Sequence, residues 1–201
     1  MRKLTVTLAA TCLVGLAGAC LAEDPLVSRA DGAAGVECET FLQKAAQDAM
    51  TEVELGKLAE RNARSMGVNA LGSKLARDHG RINKILLAIS QDKGVVLPTS
   101  LDSDHRAIVD GLSAMSGAQF DIAYTQLMVS NHADAIALFS QAAGGEDETV
   151  AAFAKRALPA LREHKRLADS FQKMTAGYEG QSPAVQPAAA ALVQSSAVAV
   201  Q

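Results

Sequence analysis

Three of the four histidines, His79, His132 and His164, each fall within an apolar helical pattern, and a glutamate, Glu52, falls within a fourth. Neutral imidazole nitrogens and a carboxylate oxygen are the donors that zinc, copper and iron accept, and thiolates are missing from the set. Polar groups on a core face need a partner, because a buried, unpaired carboxylate or imidazole has lost its hydration without replacement. Two readings satisfy that need. One makes Glu52, His79, His132 and His164 the ligands of a single transition-metal ion. The other makes them a hydrogen-bonded polar layer that specifies the bundle.

Four long helical segments must position these residues. Ala, Leu, Lys, Gln and Glu dominate, Trp is absent and aromatics make up 3% of the chain. That composition favours helices over strands. The first segment is expected over 39–66, with Phe41, Ala45, Ala49, Glu52, Leu55, Ala59, Ala63 and Met66 at helical spacing, stopped by Gly67. The second covers 69–93, with Leu71, Leu75, His79, Ile82, Leu86 and Ile89 on one face and Gly94 as its C-terminal cap. After Leu97-Pro98 comes a short helix over 103–115. The third long helix spans 118–143 with Phe120, Tyr124, Leu127, Met128, His132 and Phe139 in its stripe. The fourth spans 147–173 with Val150, Phe153, Leu161, His164 and Phe171 inward, and Pro159 predicts a bend.

The fold class is therefore all-α, a four-helix bundle with a short extra helix in the connection between the second and third long helices. The 24 residues from Gly94 to Gly117 are long enough for the full-length crossover of ferritin-like folds, and an up-down order also stays open. At about 1.5 Å per residue, all four polar residues come out mid-bundle in either order.

Other polar residues have plainer readings. Tyr124 and Met128 follow the apolar stripe and read as core. Asp121 reads as a cap or a crossover contact, and His105 as exposed. Glu54, Asp134, Asp78 and Glu163 read as solvated, with Asp78 and Glu163 also placed to orient a histidine. Cys38 reads as a free thiol.

The remainder concerns export. Arg2 and Lys3 precede an uncharged run from Leu4 to Ala22, and Glu23-Asp24-Pro25 ends it. That is the layout of a secretory signal, so a periplasmic location is expected. Ala17-Gly18-Ala19 before Cys20 suits ordinary cleavage or acylation of Cys20, which would tether the protein to the membrane. The organisation reads as a signal peptide over 1–22, a flexible segment over 23–36, the bundle over 37–175 and a disordered Ala/Gln/Pro-rich tail over 176–201. A net charge of -3 leaves no basic stripe for nucleic acid. No nucleophile and base at a known spacing, and no phosphate-binding glycine loop, points to an enzyme.

Glu52-Val53-Glu54-Leu55-Gly56 with Leu58-Ala59, Asp78-His79, the run Gly117-Ala118-Gln119-Phe120-Asp121 with Tyr124 and His132, and Leu158-Pro159 with Leu161 and His164 together resemble a bacterial secreted ferritin-like family of unknown function, domain of unknown function 4142. The resemblance covers about 39–172. It implies a ferritin-like bundle and export to the cell envelope, with no established activity, leaving a structural or stress-related envelope role open beside metal binding. Di-iron bundles carry Glu-x-x-His on two helices, whereas Ala76 and Leu161 stand three residues before His79 and His164. A carboxylate-bridged di-iron site is thereby disfavoured.

Overall fold

The computed structural model describes residues 25–177, with the side chains of 25–34 and 36 left aside. The expected signal peptide, Cys20 and all but the start of the expected tail lie outside the described residues. Five helices are present: α1 (Pro25–Asn62), α2 (Met66–Lys93), α3 (Ser103–Ser113), α4 (Gly117–Ala143) and α5 (Glu148–Thr175). None of the described helices is long and apolar enough to cross a membrane.

Two helix limits differ from expectation, each for a local reason. α1 starts at Pro25, well before 39 and within the segment expected to be flexible. Proline at a first helical position has its φ already set and lacks only an N–H that would be unpaired there. The α1–α2 turn lies at 63–65 rather than at Gly67, which belongs to the first turn of α2. Ser65 is the N-cap of α2, its Oγ accepting the Gly67 N–H at 3.2 Å. The turn is also held from outside: the fully buried Asp121 of α4 accepts the N–H groups of Arg64 at 3.1 Å and Ser65 at 2.9 Å. Asp121, expected as a cap or a crossover contact, thus caps the α1–α2 turn from α4.

The crossover order holds. α1 packs on α2 and α4, and α5 packs on α4 and α2. The end of α1 meets the start of α4 through the bridge between Ala63 and Gly117, while Lys93 at the end of α2 pairs with Asp147 at the start of α5. α2 and α4 therefore run the same way, and the connection carrying α3 travels the length of the bundle. α3 is fastened to α1 by Arg106–Glu54 at 2.9 Å and by His105. α5 runs unbroken through Pro159.

α1 and α2 meet almost backbone to backbone. A Cβ on Gly56 would lie 2.5 Å from the Gly72 carbonyl oxygen and 2.9 Å from the Ala76 Cβ. Gly56→Ala is accordingly expected to push the helices apart and cost about 1–3 kcal/mol. Urea unfolding that shows less than about 0.5 kcal/mol of loss would contradict this close packing.

Candidate metal centre

The apolar core is in two parts. One cluster includes Phe41, Leu42, Ile82, Leu86, Phe139, Phe153 and Leu161, and the other includes Leu55, Leu71, Leu75, Phe120, Tyr124, Leu127 and Met128. His79, His132, His164 and Glu52 occupy the waist between them. Their exposures are 4%, 1%, 0% and 3%.

The three imidazoles form a nearly equilateral group, with ring centroids 5.5, 5.5 and 5.3 Å apart. One ligand nitrogen from each lies within 4.8 Å of the others. His79 Nε2 and His132 Nε2 are 3.4 Å apart. Two nitrogens sharing a tetrahedral ion at zinc–nitrogen bond lengths would stand about 3.3 Å apart, so this pair already has the ligand spacing.

Neighbours fix two of the tautomers. The Met128 carbonyl can only accept, so at 2.9 Å His132 Nδ1 donates to it and Nε2 keeps its lone pair. His164 Nε2 donates to Asp78 Oδ2 at 3.0 Å, which leaves a lone pair on Nδ1, buried without a hydrogen-bond partner. Asp78 is in turn held by Lys74 at 2.7 Å and Arg81 at 3.0 Å. A carboxylate–imidazole pair of this kind orients metal-binding histidines in general. Of the two acids placed to do so, Asp78 does it, whereas Glu163 pairs with the exposed Arg166.

Burial keeps the imidazoles neutral. Desolvation lowers the pKa of His132 to about 3 and that of His79 well below 6.5, with the neighbouring imidazoles acting in the same direction. His164 is also lowered by desolvation, with Asp78 opposing. Three neutral imidazoles with ligand nitrogens this close together can hold a metal ion.

Glu52 shares the layer but is not among the nitrogens' close group. Asn131 donates to its Oε1 at 3.0 Å, while Oε2 is buried without a hydrogen-bond partner. Desolvation raises its pKa to about 7. It stands with His79 and His132 on the wall of a cavity of about 570 Å³ that also touches Asp48, Asp134 and Leu97. His105, expected to be exposed, lines the same cavity with its side chain only 17% exposed. It bridges Asp102 at 2.7 Å and Asp48 at 3.4 Å, and those carboxylates raise its pKa to about 9. The sequence signal for this was available: Asp102, three residues before His105, is the N-cap of α3.

Tyr124 is core, as expected, stacked on Phe120 at 5.4 Å, yet its hydroxyl is also buried without a partner. Cys38 is a free, buried thiol whose pKa is raised by desolvation.

Fold and site together define a crossover four-helix bundle with a buried three-histidine group at its waist. The chain belongs to the family described as Domain of unknown function (DUF4142), whose model matches residues 25–171. A crystal structure of a DUF305 fragment from Deinococcus radiodurans is similar in fold, with a TM-score of 0.61 and 17% identity over 69% of this chain and 96% of that one. No curated protein matches the chain.

The histidines and Glu52 pull metal-free stability in opposite directions. A histidine with a lowered native pKa leaves the unfolded chain holding the extra proton between about 6.5 and the native value. Stability therefore falls as pH drops through that window, by about 1.4 kcal/mol per pH unit for each such histidine. Glu52, raised to about 7, contributes stability at low pH that is lost as pH rises from about 4.5 through 7. Urea unfolding between pH 7 and pH 4 should show a net decline, steeper in Glu52→Gln. A Glu52→Gln profile shallower than that of the unaltered protein would overturn the assignment.

Proposed function

We propose that this is an exported envelope protein that binds one transition-metal ion, zinc, copper or iron, through His79, His132 and His164. The observation that carries the reading is the convergence of three buried, neutral imidazoles, of which His132 and His164 each donate from one ring nitrogen to a neighbour and keep a lone pair on the other. His132 Nε2 can accept from His79 Nε2 at 3.4 Å, but His164 Nδ1 is buried without a hydrogen-bond partner, and a merely structural layer gains nothing from that, since it costs the desolvation of a polar atom. An all-nitrogen set suits borderline metals, with copper(II) the tightest of the divalent series. Calcium and magnesium prefer oxygen donors and are excluded on that ground.

Location rests on Arg2-Lys3 and the apolar run to Ala22, which support secretion to the periplasm, with Cys20 as the residue for a membrane tether. If Cys20 is acylated, the protein partitions with membranes and Cys20→Ala releases it in soluble form; equal partitioning of the two removes the tether.

Metal-free protein titrated with zinc chloride should take up one ion per chain and gain thermal stability. His132→Ala and His164→Ala should abolish uptake, while His105→Ala, outside the group, should retain it. Asp78→Asn is expected to weaken binding about tenfold by loosening His164. Unaltered protein that gains neither metal nor thermal stability with zinc, copper or iron sinks the proposal.

A further inference from the structure

An ion bound by the three histidines has to pass a wall of the bundle, and the two candidate walls differ in charge. On the α2–α5 side, His164 stands behind Asp78, whose oxygens are taken by Lys74 and Arg81. A cation approaching there finds that carboxylate already paired with Lys74 and Arg81. Above and below the histidines lie the two apolar clusters.

The α1–α4 side is different. There the cavity reaches inward to His79 and His132, and on its wall the acids Asp48, Glu52, Asp102 and Asp134 outnumber the cations Lys44 and His105. His164 is not on it. Glu52 is 3% exposed, with one oxygen taken by Asn131 and the other buried without a hydrogen-bond partner. A carboxylate oxygen left bare in a desolvated place costs free energy that a passing cation would recover. Because Asn131 holds the carboxylate apart from the close group of nitrogens, Glu52 is placed beside the ion's path rather than at its resting point.

We propose that this cavity is the port through which a divalent transition-metal ion enters and leaves, and that Glu52 takes the ion from water and hands it to His79 and His132. The inference rests on the three-histidine reading above. A cation shedding its water needs replacement oxygens along the way, and a carboxylate that supplies them transiently lowers the barrier in both directions. Equilibrium affinity stays with the histidines. The ion is then exchangeable cargo, in keeping with a protein that carries or buffers metal, rather than a locked structural ion.

Stopped-flow mixing of metal-free protein with zinc chloride, followed by release into excess chelator, separates these roles. Glu52→Gln should slow both association and release at least tenfold and leave Kd within about threefold. Ala135→Met, which puts a longer side chain on the cavity wall and leaves every carboxylate in the sequence, should slow both rates in the same way once circular dichroism shows it folded. Unchanged rates in folded Glu52→Gln and Ala135→Met protein overturn the port. A Kd weakened tenfold or more in Glu52→Gln, with loss of an oxygen neighbour from the zinc X-ray absorption spectrum, makes Glu52 a resident ligand and overturns the handover. Failure of the unaltered protein to bind zinc, copper or iron removes the metal reading itself, and the port with it.

Discussion

An imidazole taken out of water loses hydrogen bonds at two ring nitrogens, and this bundle takes three of them out of water at one height. Everything around the waist answers that constraint. The Met128 carbonyl and the Asp78 carboxylate each satisfy one nitrogen, and desolvation holds the rings neutral. The apolar core divides into a cluster above and a cluster below because the waist is polar. What stays unsatisfied there includes His164 Nδ1 and Glu52 Oε2, and these give the layer a use beyond packing.

The architecture that holds the layer is set by a few contacts at the bundle ends. Asp121 ties the α1–α2 turn to α4, and the Lys93–Asp147 pair ties the end of α2 to the start of α5. Both contacts fit only an arrangement in which α2 and α4 are parallel and the connection crosses over. Parallel α2 and α4 put His79 and His132 at one level, while antiparallel α5 brings His164 back to meet them. The crossover itself, with α3 fastened through His105 and Arg106 to α1, covers one side and leaves the cavity beneath it.

The two faces of the waist are electrostatically unlike. Lys74 and Arg81 close the α2–α5 face around Asp78, so that carboxylate serves to orient His164. Glu52 on the other face accepts from Asn131, and desolvation raises its pKa to about 7. Two acids flanking one histidine group thus do different work, because one is surrounded by cations and the other by a desolvated cavity wall.

Helical period and composition were enough to find four long helices, the short fifth and the inward faces that carry His79, His132, His164 and Glu52, since a 3.6-residue apolar stripe is a local property of the chain, but not the start of α1 or the α1–α2 turn, where Gly67 proved no break. Family membership was legible for the same reason, through ordered motifs along single helices. Local pattern could not choose between crossover and up-down order, because that rests on Asp121 reaching the α1–α2 turn and on Lys93 reaching Asp147, contacts between residues far apart in sequence. Nor could it separate the three histidines that converge from the glutamate that stands aside. Depth along a helix follows from counting residues, but whether side chains meet depends on how the helices are rotated and staggered. Here that is settled by the backbone contact at Gly56 and Gly72 and by the hydrogen bonds to Met128, Asp78 and Asn131, so the metal centre and its cavity belong to the tertiary structure.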